Sequence, residues 1–507
     1  MRYRSHIAAL SALLILALAS PLAAQDKQEA NPQQTARQPL ESVTRHSGQF
    51  GGSKMAYEAI AGEIFLKDKD GKPKAAIYST TYLKTPRDAS RPVLFLFNGG
   101  PGSGSLWLHL GAFGPKRVVV PSDARDDGAP PYPLMDNPHA LLDVADLVFI
   151  DPVGTGFSRA LPGTEAKEYW GVKSDAVSIA EFIRLWLGKY QRWNSPKYVG
   201  GESYGTTRSI AVANELEGGY NDVALNGILL ISTILDFGLS AEVPGNEMAH
   251  VVNLPTYAAT AWYHGKVANP PAQVADFVEE ARRFALGPYL SALVKGNALP
   301  ADERAKVRAG LARYSGLSED YLERAELRVV PGRFYKELLR EQGLVVGRLD
   351  GRYTGRDADN AGEFGENDPS FYGIDAAYTA AMNSYARQTL KYSPDIQYNV
   401  IGGVGPWDWN PSGGQSGGRT AYISLAPYVG RLLRQNSGLR ILALQGWYDH
   451  ATPLLGAEYS LNRSGIPQER IQWHYYDAGH MMYVNEPELV KLANDVRRFI
   501  RSQTSGR

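Results

Sequence analysis

Short apolar runs alternate with amphipathic stretches along much of the chain. Apolar side chains recur at helical spacing over residues 175–190, and a further helix is predicted from Asn485, a natural N-cap, to about Arg501. Strand and helix signals that alternate in this way predict a mostly parallel sheet with helices on both faces. The runs that predict buried strands are residues 93–97, 146–150, 197–200, 228–231, 441–444 and 471–475.

Two regions depart from this alternation of strand and helix signals. Between residues 55 and 97 polar and apolar positions alternate, and Asp70-Gly71 provides a hairpin turn, so antiparallel strands are expected first. Between residues 240 and 430 helical patterns dominate, which predicts a mostly helical insertion over the active edge of the sheet. We therefore expect a core in two parts, residues 51–239 and 431–507. The predicted helices of the insertion are residues 272–286, 301–314, 333–342 and 374–390.

The first residues have the pattern of a secretory signal peptide. Arg2 and Arg4 precede an apolar run over residues 7–19, and small residues lead to Ala24. The run is shorter than the roughly 20 residues that a membrane anchor needs, so we predict cleavage near Ala24 and no membrane span in the mature chain. Residues 25–50 are expected to be a flexible leader. An exported protein without cysteine fits a bacterial periplasmic or secreted location.

Composition excludes several classes of function. The chain has 507 residues, of which 44% are hydrophobic and 21% charged, as expected for a globular protein. Lys and Arg total 53 and Asp and Glu total 53, so no net charge favours nucleic acid. The absence of cysteine excludes thiol catalysis, disulfides and Cys-ligated metals. No spacing suggests a metal site, and we expect no cofactor, while the oligomeric state is not predicted.

A serine turn carries the strongest catalytic signal. Gly201-x-Ser203-x-Gly205 directly follows a predicted strand and precedes a helical pattern. Such a turn lifts a serine hydroxyl out of the edge of a sheet, and its glycines avoid clashes there. The motif alone is common, but its placement between strand and helix favours Ser203 as a nucleophile.

A nucleophilic serine needs a base and a carboxylate that orients the base. Asp449 and His480 each follow a predicted strand, so both are expected at the same sheet edge as the serine. The chain order of serine, acid and histidine is that of the α/β-hydrolase fold. His450 and His474 are rivals for the base. His474 is expected to point sideways from its strand, and His450 directly follows the acid that would have to orient it.

A glycine-rich segment over residues 97–104 follows an early strand. A phosphate-binding loop is the alternative, but Ser105 stands where the dinucleotide pattern needs its third glycine, and no Gly-Lys-Ser/Thr ending is present. The loop can instead direct a backbone N–H at a developing oxyanion. Gly100 and Tyr204 are the candidate donors.

Together these motifs resemble the serine carboxypeptidases of peptidase family S10. The resemblance covers residues 98–102, 149–158 and 201–205, then Asp449 and the Gly-His pair that ends at His480. It implies an α/β-hydrolase fold with a mostly parallel central sheet and a helical insertion, and it implies removal of C-terminal residues from peptide or protein substrates. The roles it implies are nucleophile for Ser203, base for His480, orienting acid for Asp449, oxyanion donors for Gly100 and Tyr204, and binding of the substrate's terminal carboxylate for Asn98, Gly99 and Glu202.

Three positions depart from the family pattern. Leu96 replaces a usual Trp, Ser103 replaces a usual Cys, and Ala112 stands about where a second carboxylate-binding Glu is expected. Two of the four positions that recognise the substrate's carboxylate in the family are therefore missing.

An esterase or acyltransferase that uses the same triad stays an alternative to a carboxypeptidase. A catalytically idle binding protein is disfavoured by the complete triad.

Overall fold

The computed structural model describes residues 37–412 and 423–504, and a mostly parallel sheet of ten strands organises it. The strand order is β1-β2-β3-β7-β4-β9-β10-β13-β14, with β8 also paired to β3. The described strands are β1 (Glu41–Phe50), β2 (Ser53–Lys67), β3 (Pro73–Thr85), β4 (Val93–Phe97), β5 (Lys116–Val118), β6 (Leu134–Asp136), β7 (Asp146–Ile150), β8 (Arg159–Ala160), β9 (Lys197–Glu202), β10 (Gly227–Ile231), β11 (Val345–Val346), β12 (Thr354–Gly355), β13 (Arg440–Gly446) and β14 (Ile471–Tyr476).

The six strands from β7 to β14 in this order pair in parallel, whereas β1, β2, β3 and β8 pair antiparallel. The predicted strands are thus confirmed, and the α/β-hydrolase fold class with them. The α-helices are α1 (Val172–Lys189), α2 (Tyr204–Leu216), α3 (Met248–Val251), α4 (Leu254–Tyr263), α5 (Val274–Phe284), α6 (Leu290–Lys295), α7 (Ala301–Ser315), α8 (Glu319–Arg324), α9 (Pro331–Glu337), α10 (Pro369–Tyr372), α11 (Asp375–Ser384), α12 (Ala426–Gln435), α13 (Leu454–Leu461) and α14 (Glu486–Thr504).

Alternate residues of the parallel strands enter two different cores. Leu94 and Leu96 belong to the core that includes α14, whereas Phe95 and Phe97 pack in the core that includes α1. Because both faces are covered, these strands read as continuous apolar runs rather than as alternating ones. Helices α4, α5 and α7 form a third core, which also takes in Tyr448 beside the sheet edge. The insertion limits of 240 and 430 stay a prediction.

The N-terminal segment differs from our expectation in part. Residues 41–50, predicted as part of the flexible leader, form β1, which pairs along its whole length with β2. Most side chains of β1 are exposed or half-buried, so backbone pairing rather than an apolar face holds the strand, and composition gives little sign of it. The predicted signal peptide, residues 1–24, lies outside the described residues. Within the described ranges, no helix is long and apolar enough to cross a bilayer.

Candidate active site

Ser203 occupies a sharp turn between the end of β9 and the start of α2. Its φ of 60° and ψ of −130° are rare for a residue with a side chain, and such strain costs about 1–3 kcal/mol. The flanking glycines make the turn possible: a Cβ on Gly201 would lie 2.1 Å from the carbonyl oxygen of Gly205. The N–H of Ser203 donates to the Ile231 carbonyl at 3.0 Å, which ties the turn to β10. This is the turn that the sequence predicted.

The structure brings Asp449 and His480 together at the ends of β13 and β14. The His480 Nδ1 lies 2.8 Å from Asp449 Oδ2, and both side chains are buried. Burial alone would lower the pKa of His480, but the charge of Asp449 and this hydrogen bond outweigh burial and raise that pKa. Burial likewise raises the pKa of Asp449, yet the His480 charge and the hydrogen bonds to Asp449 hold it below its ordinary value. The pair is built so that Asp449 stays ionised.

Thr452 completes the surroundings of Asp449, and the sequence analysis missed it. The Thr452 hydroxyl donates to Asp449 Oδ2 at 2.6 Å, and the N–H groups of Ala451 and Thr452 donate to Oδ1 at 2.9 and 3.0 Å. The carboxylate therefore cannot rotate away from His480 without losing several hydrogen bonds. A polar residue two or three positions after an aspartate is a turn signal that could have indicated this contact.

The loop of His480 is fixed from two sides. The Ser232 hydroxyl, directly after β10, donates to the His480 carbonyl at 2.6 Å. The His480 N–H donates to the Leu349 carbonyl at 2.6 Å, and the Gly479 N–H donates to Asp350 at 3.0 Å. The predicted insertion thus supports the candidate base. Across the described residues, the Ser203 hydroxyl makes no hydrogen bond to His480, so the structure joins the acid and the base but not yet the nucleophile.

The glycine-rich loop lies against the start of α2. A Cβ on Gly99 would lie 2.6 Å from the backbone nitrogen of Tyr204, so only glycine allows this approach. The buried Arg208 donates to the Asn98 carbonyl and is paired with Asp175 at 2.6 Å, so it joins the loop to α2. Gly100 has a φ of 103°, as a turn of this kind requires.

Glu202 and Asn98 form a buried polar pair beside Ser203. The Asn98 amide donates to Glu202 Oε1 at 3.1 Å, and Asn98 Oδ1 accepts from the Leu108 N–H at 3.1 Å. Burial raises the pKa of Glu202 to about 7, although the charge of His480 and the hydroxyl of Tyr483 act to lower it. A carboxyl with this pKa is substantially protonated at neutral pH, and can then donate a hydrogen bond.

The rival histidines are held elsewhere. His450 is buried against Thr260, with Nε2 2.8 Å from the threonine hydroxyl, and burial lowers its pKa to about 3. His474 Nδ1 lies 3.4 Å from Asp495. In the described part of the chain, neither ring is hydrogen-bonded to Asp449. Over residues 37–412 and 423–504, no cluster of three or more His, Asp or Glu side chains could hold a metal ion.

Residues 68–249 match the sequence profile of the family described as serine carboxypeptidase. Serine carboxypeptidase-like 13 from Arabidopsis thaliana is 31% identical over 147 residues, which cover 29% of this chain and 33% of the relative. Serine carboxypeptidase-like 46 from the same plant is 25% identical over 235 residues, 45% of this chain and 44% of the relative. The chain thus spans between about a third and less than half of the length of these relatives.

Solved structures give a broader and weaker likeness. A thioesterase domain from the curacin biosynthetic pathway aligns with 87% of this chain and 99% of its own at 12% identity, with a TM-score of 0.32. The juvenile hormone epoxide hydrolase of Bombyx mori aligns with 89% of this chain and 79% of its own at 12% identity and the same TM-score. Likeness at this level has no bearing on function. The similarity to the serine carboxypeptidase family therefore lies in residues 68–249, which carry the glycine-rich loop and the serine turn.

Proposed function

We propose that this chain is a serine-type carboxypeptidase that hydrolyses C-terminal peptide bonds through an acyl-enzyme on Ser203. The observation that carries the proposal is the buried Glu202–Asn98 pair directly before the nucleophile. A carboxyl group with a pKa of about 7 and a fixed amide can hold a peptide's terminal carboxylate. That grip would place the last peptide bond, rather than an internal one, at Ser203.

The proposed catalytic steps use the contacts of His480. The Asp449 contact engages Nδ1 of His480, so Nε2 is left to take the proton of the Ser203 hydroxyl as it attacks the carbonyl carbon. This requires the hydroxyl to move into hydrogen-bond range of Nε2. The backbone N–H groups of Gly100 and Tyr204 would stabilise the oxyanion, each by about 2.7–4 kcal/mol. His480 then protonates the leaving amine, and water hydrolyses the acyl-enzyme by the same route.

The choice between peptidase and esterase is tested by substrate. Blocked dipeptides with a free C-terminus, the same dipeptides as C-terminal amides, and simple aryl esters would be assayed side by side. A carboxypeptidase gives a kcat/KM for the free acid well above that for the amide. If only the esters are hydrolysed, the alternative of an esterase or acyltransferase replaces the proposal.

Glu202→Gln should flatten the pH dependence of KM for free-acid peptides. An ionised Glu202 repels the substrate carboxylate, so the wild-type KM should be constant below pH 7 and rise up to tenfold per pH unit above it. Glutamine resembles the protonated acid and does not titrate. KM and kcat would be measured between pH 5 and 9 for both forms.

The matched control for this variant is an uncharged aryl ester. The pH dependence of its hydrolysis should follow only the titration of His480, which must be neutral to act as a base. The shape of that pH dependence should be the same in Glu202→Gln. A peptide KM profile that is the same in both forms would show that Glu202 does not bind the carboxylate.

Export with cleavage near Ala24 is part of the same proposal, and N-terminal sequencing of the mature protein tests it. The expected first residue is Gln25.

A further inference from the structure

A buried arginine of α2, the helix that follows Ser203, reaches across to the glycine-rich loop. Arg208 lies near the start of this helix, and its side chain is 1% exposed. Its Nη1 donates to the Asn98 carbonyl at 2.5 Å, and its Nε donates to Asp175 of α1 at 2.6 Å. A guanidinium at this depth needs a charged partner, and it presents its donors in a rigid fork. Arg208 therefore fixes a backbone carbonyl and a carboxylate relative to each other.

Two aromatic rings extend this contact to the segments that carry the candidate oxyanion donors, Gly100 and Tyr204. The Arg208 guanidinium carbon lies 5.4 Å from the ring centre of Phe97, the last residue of β4. It lies 5.1 Å from the ring centre of Tyr204. Phe97 leads directly into the glycine-rich loop, and Tyr204 begins α2. A single side chain thus contacts both segments.

The backbone by itself leaves these two segments unjoined. The pairing of β4 with β9 ends before the glycine-rich loop begins. In the part of the chain that the structure describes, no backbone hydrogen bond connects residues 99–100 to residues 203–205. The segments are nonetheless in close contact, since a Cβ on Gly99 would lie 2.6 Å from the backbone nitrogen of Tyr204. Side-chain contacts must therefore hold the two segments in position.

We propose that Arg208 is a positioning residue for the oxyanion hole. It holds the Asn98 carbonyl, and with it the start of the glycine-rich loop, so that the N–H groups of Gly100 and Tyr204 converge on one oxygen. A misplacement of about 1 Å can cost roughly a hundredfold in rate, so this contact bears directly on turnover. The inference rests on the proposed acyl chemistry at Ser203 but not on the choice between peptide and ester substrates.

A buried ion pair that only supports the fold is the alternative role. Removing one partner of such a pair leaves a buried charge and is strongly destabilising, so a single substitution cannot separate the two roles. Replacing both partners by apolar residues of similar volume is often neutral for stability. The double variant Arg208→Met/Asp175→Leu should therefore keep a Tm close to that of wild type, and it lacks the bond to the Asn98 carbonyl.

In this double variant, kcat for an aryl ester should fall about ten- to a hundredfold while KM changes by less than about twofold. The ester is chosen because its hydrolysis needs the oxyanion hole but no recognition of a carboxylate. The Asn98 amide still contacts Glu202, so the loop should shift rather than detach. The affinity for benzeneboronic acid, which forms a tetrahedral adduct with an activated serine, should fall by a factor similar to that of kcat.

A matched control lies at the opposite end of β4. Arg192 is also buried, and its guanidinium donates to the Asp146 carboxylate and to the Arg91 carbonyl, both at 2.5 Å. Arg91 precedes β4 whereas Asn98 follows it, so the same pattern of bonds lies at the end of the strand away from Ser203. Arg192→Met leaves Asp146 paired with Arg91. It should leave kcat, KM and the boronic acid affinity unchanged.

A loss of kcat and of boronic acid affinity in the double variant, with KM and Tm preserved, supports the inference. Wild-type kcat in the double variant, or a loss that Arg192→Met shares, overturns it. If Arg208→Met/Asp175→Leu does not fold, Arg208→Gln/Asp175→Asn replaces it, with two neutral amides for the ion pair and the same expected results.

The ester assay also keeps this inference apart from the proposed function. If wild type hydrolyses esters but no peptide, the carboxypeptidase proposal fails while the role of Arg208 is still decided on the ester. If wild type hydrolyses neither substrate and binds no boronic acid, both the proposed function and the inference fall.

Discussion

Replacing either Ser203 or His480 by alanine should reduce kcat by about a millionfold, and the double variant should be no slower. The nucleophile without its base is a weak alcohol, and the base without the nucleophile has no proton to take, so the two act as a unit. The measurement is kcat on a free-acid dipeptide and on an aryl ester. A fluorophosphonate probe should label wild type but neither single variant, since labelling needs an activated Ser203.

His474→Ala is the control for a general effect of removing a histidine. His474 lies on β14, away from Asp449, and is partly exposed beside Asp495. It should keep wild-type kcat. Losses in Ser203→Ala and His480→Ala that multiply in the double variant would contradict a shared proton transfer, and would separate the two residues mechanistically.

The parallel sheet could be predicted because burial on both faces leaves a direct mark on the sequence. Residues 93–97 and 146–150 are continuous apolar runs, and they form β4 and β7 with the same bounds. The strand over residues 41–50 has no such pattern, since its main stabilisation is the backbone pairing with β2 and most of its side chains are exposed or half-buried. Backbone pairing is available to almost any sequence, so it is hard to read from residue types.

Some residues of the candidate site could likewise be predicted from the sequence, and others could not. Ser203, Asp449 and His480 could be placed because each follows a strand, and parallel strands end at one edge. Thr452 could not be placed in this way, because its importance depends on which side chain the fold sets opposite it. The same holds for the Arg208–Asp175 pair, whose members are 33 residues apart and meet only through the packing of α1 against α2.

Asp449→Asn should lower kcat by about ten-thousandfold and shift its pH dependence. In wild type the Asp449 charge raises the pKa of His480, so the rising limb of the kcat/KM profile should lie above the ordinary histidine range. With asparagine, burial dominates and the pKa of His480 falls, so the rising limb should move to lower pH. The amide can also donate to His480 Nδ1, which favours the tautomer that cannot accept the serine proton at Nε2.

The pH profile of kcat/KM distinguishes a lost charge at Asp449 from simple disorder of the loop that carries it. Thr452→Val is the matched comparison, since it removes the hydroxyl that donates to Asp449 Oδ2 but keeps the charge. It should cost far less activity and leave the rising limb near its wild-type pH. An Asp449→Asn profile with a lowered plateau but an unshifted limb would mean that the carboxylate does not set the pKa of His480. Full activity in Asp449→Asn would assign the orienting role to another acid, with Asp477 the next to test.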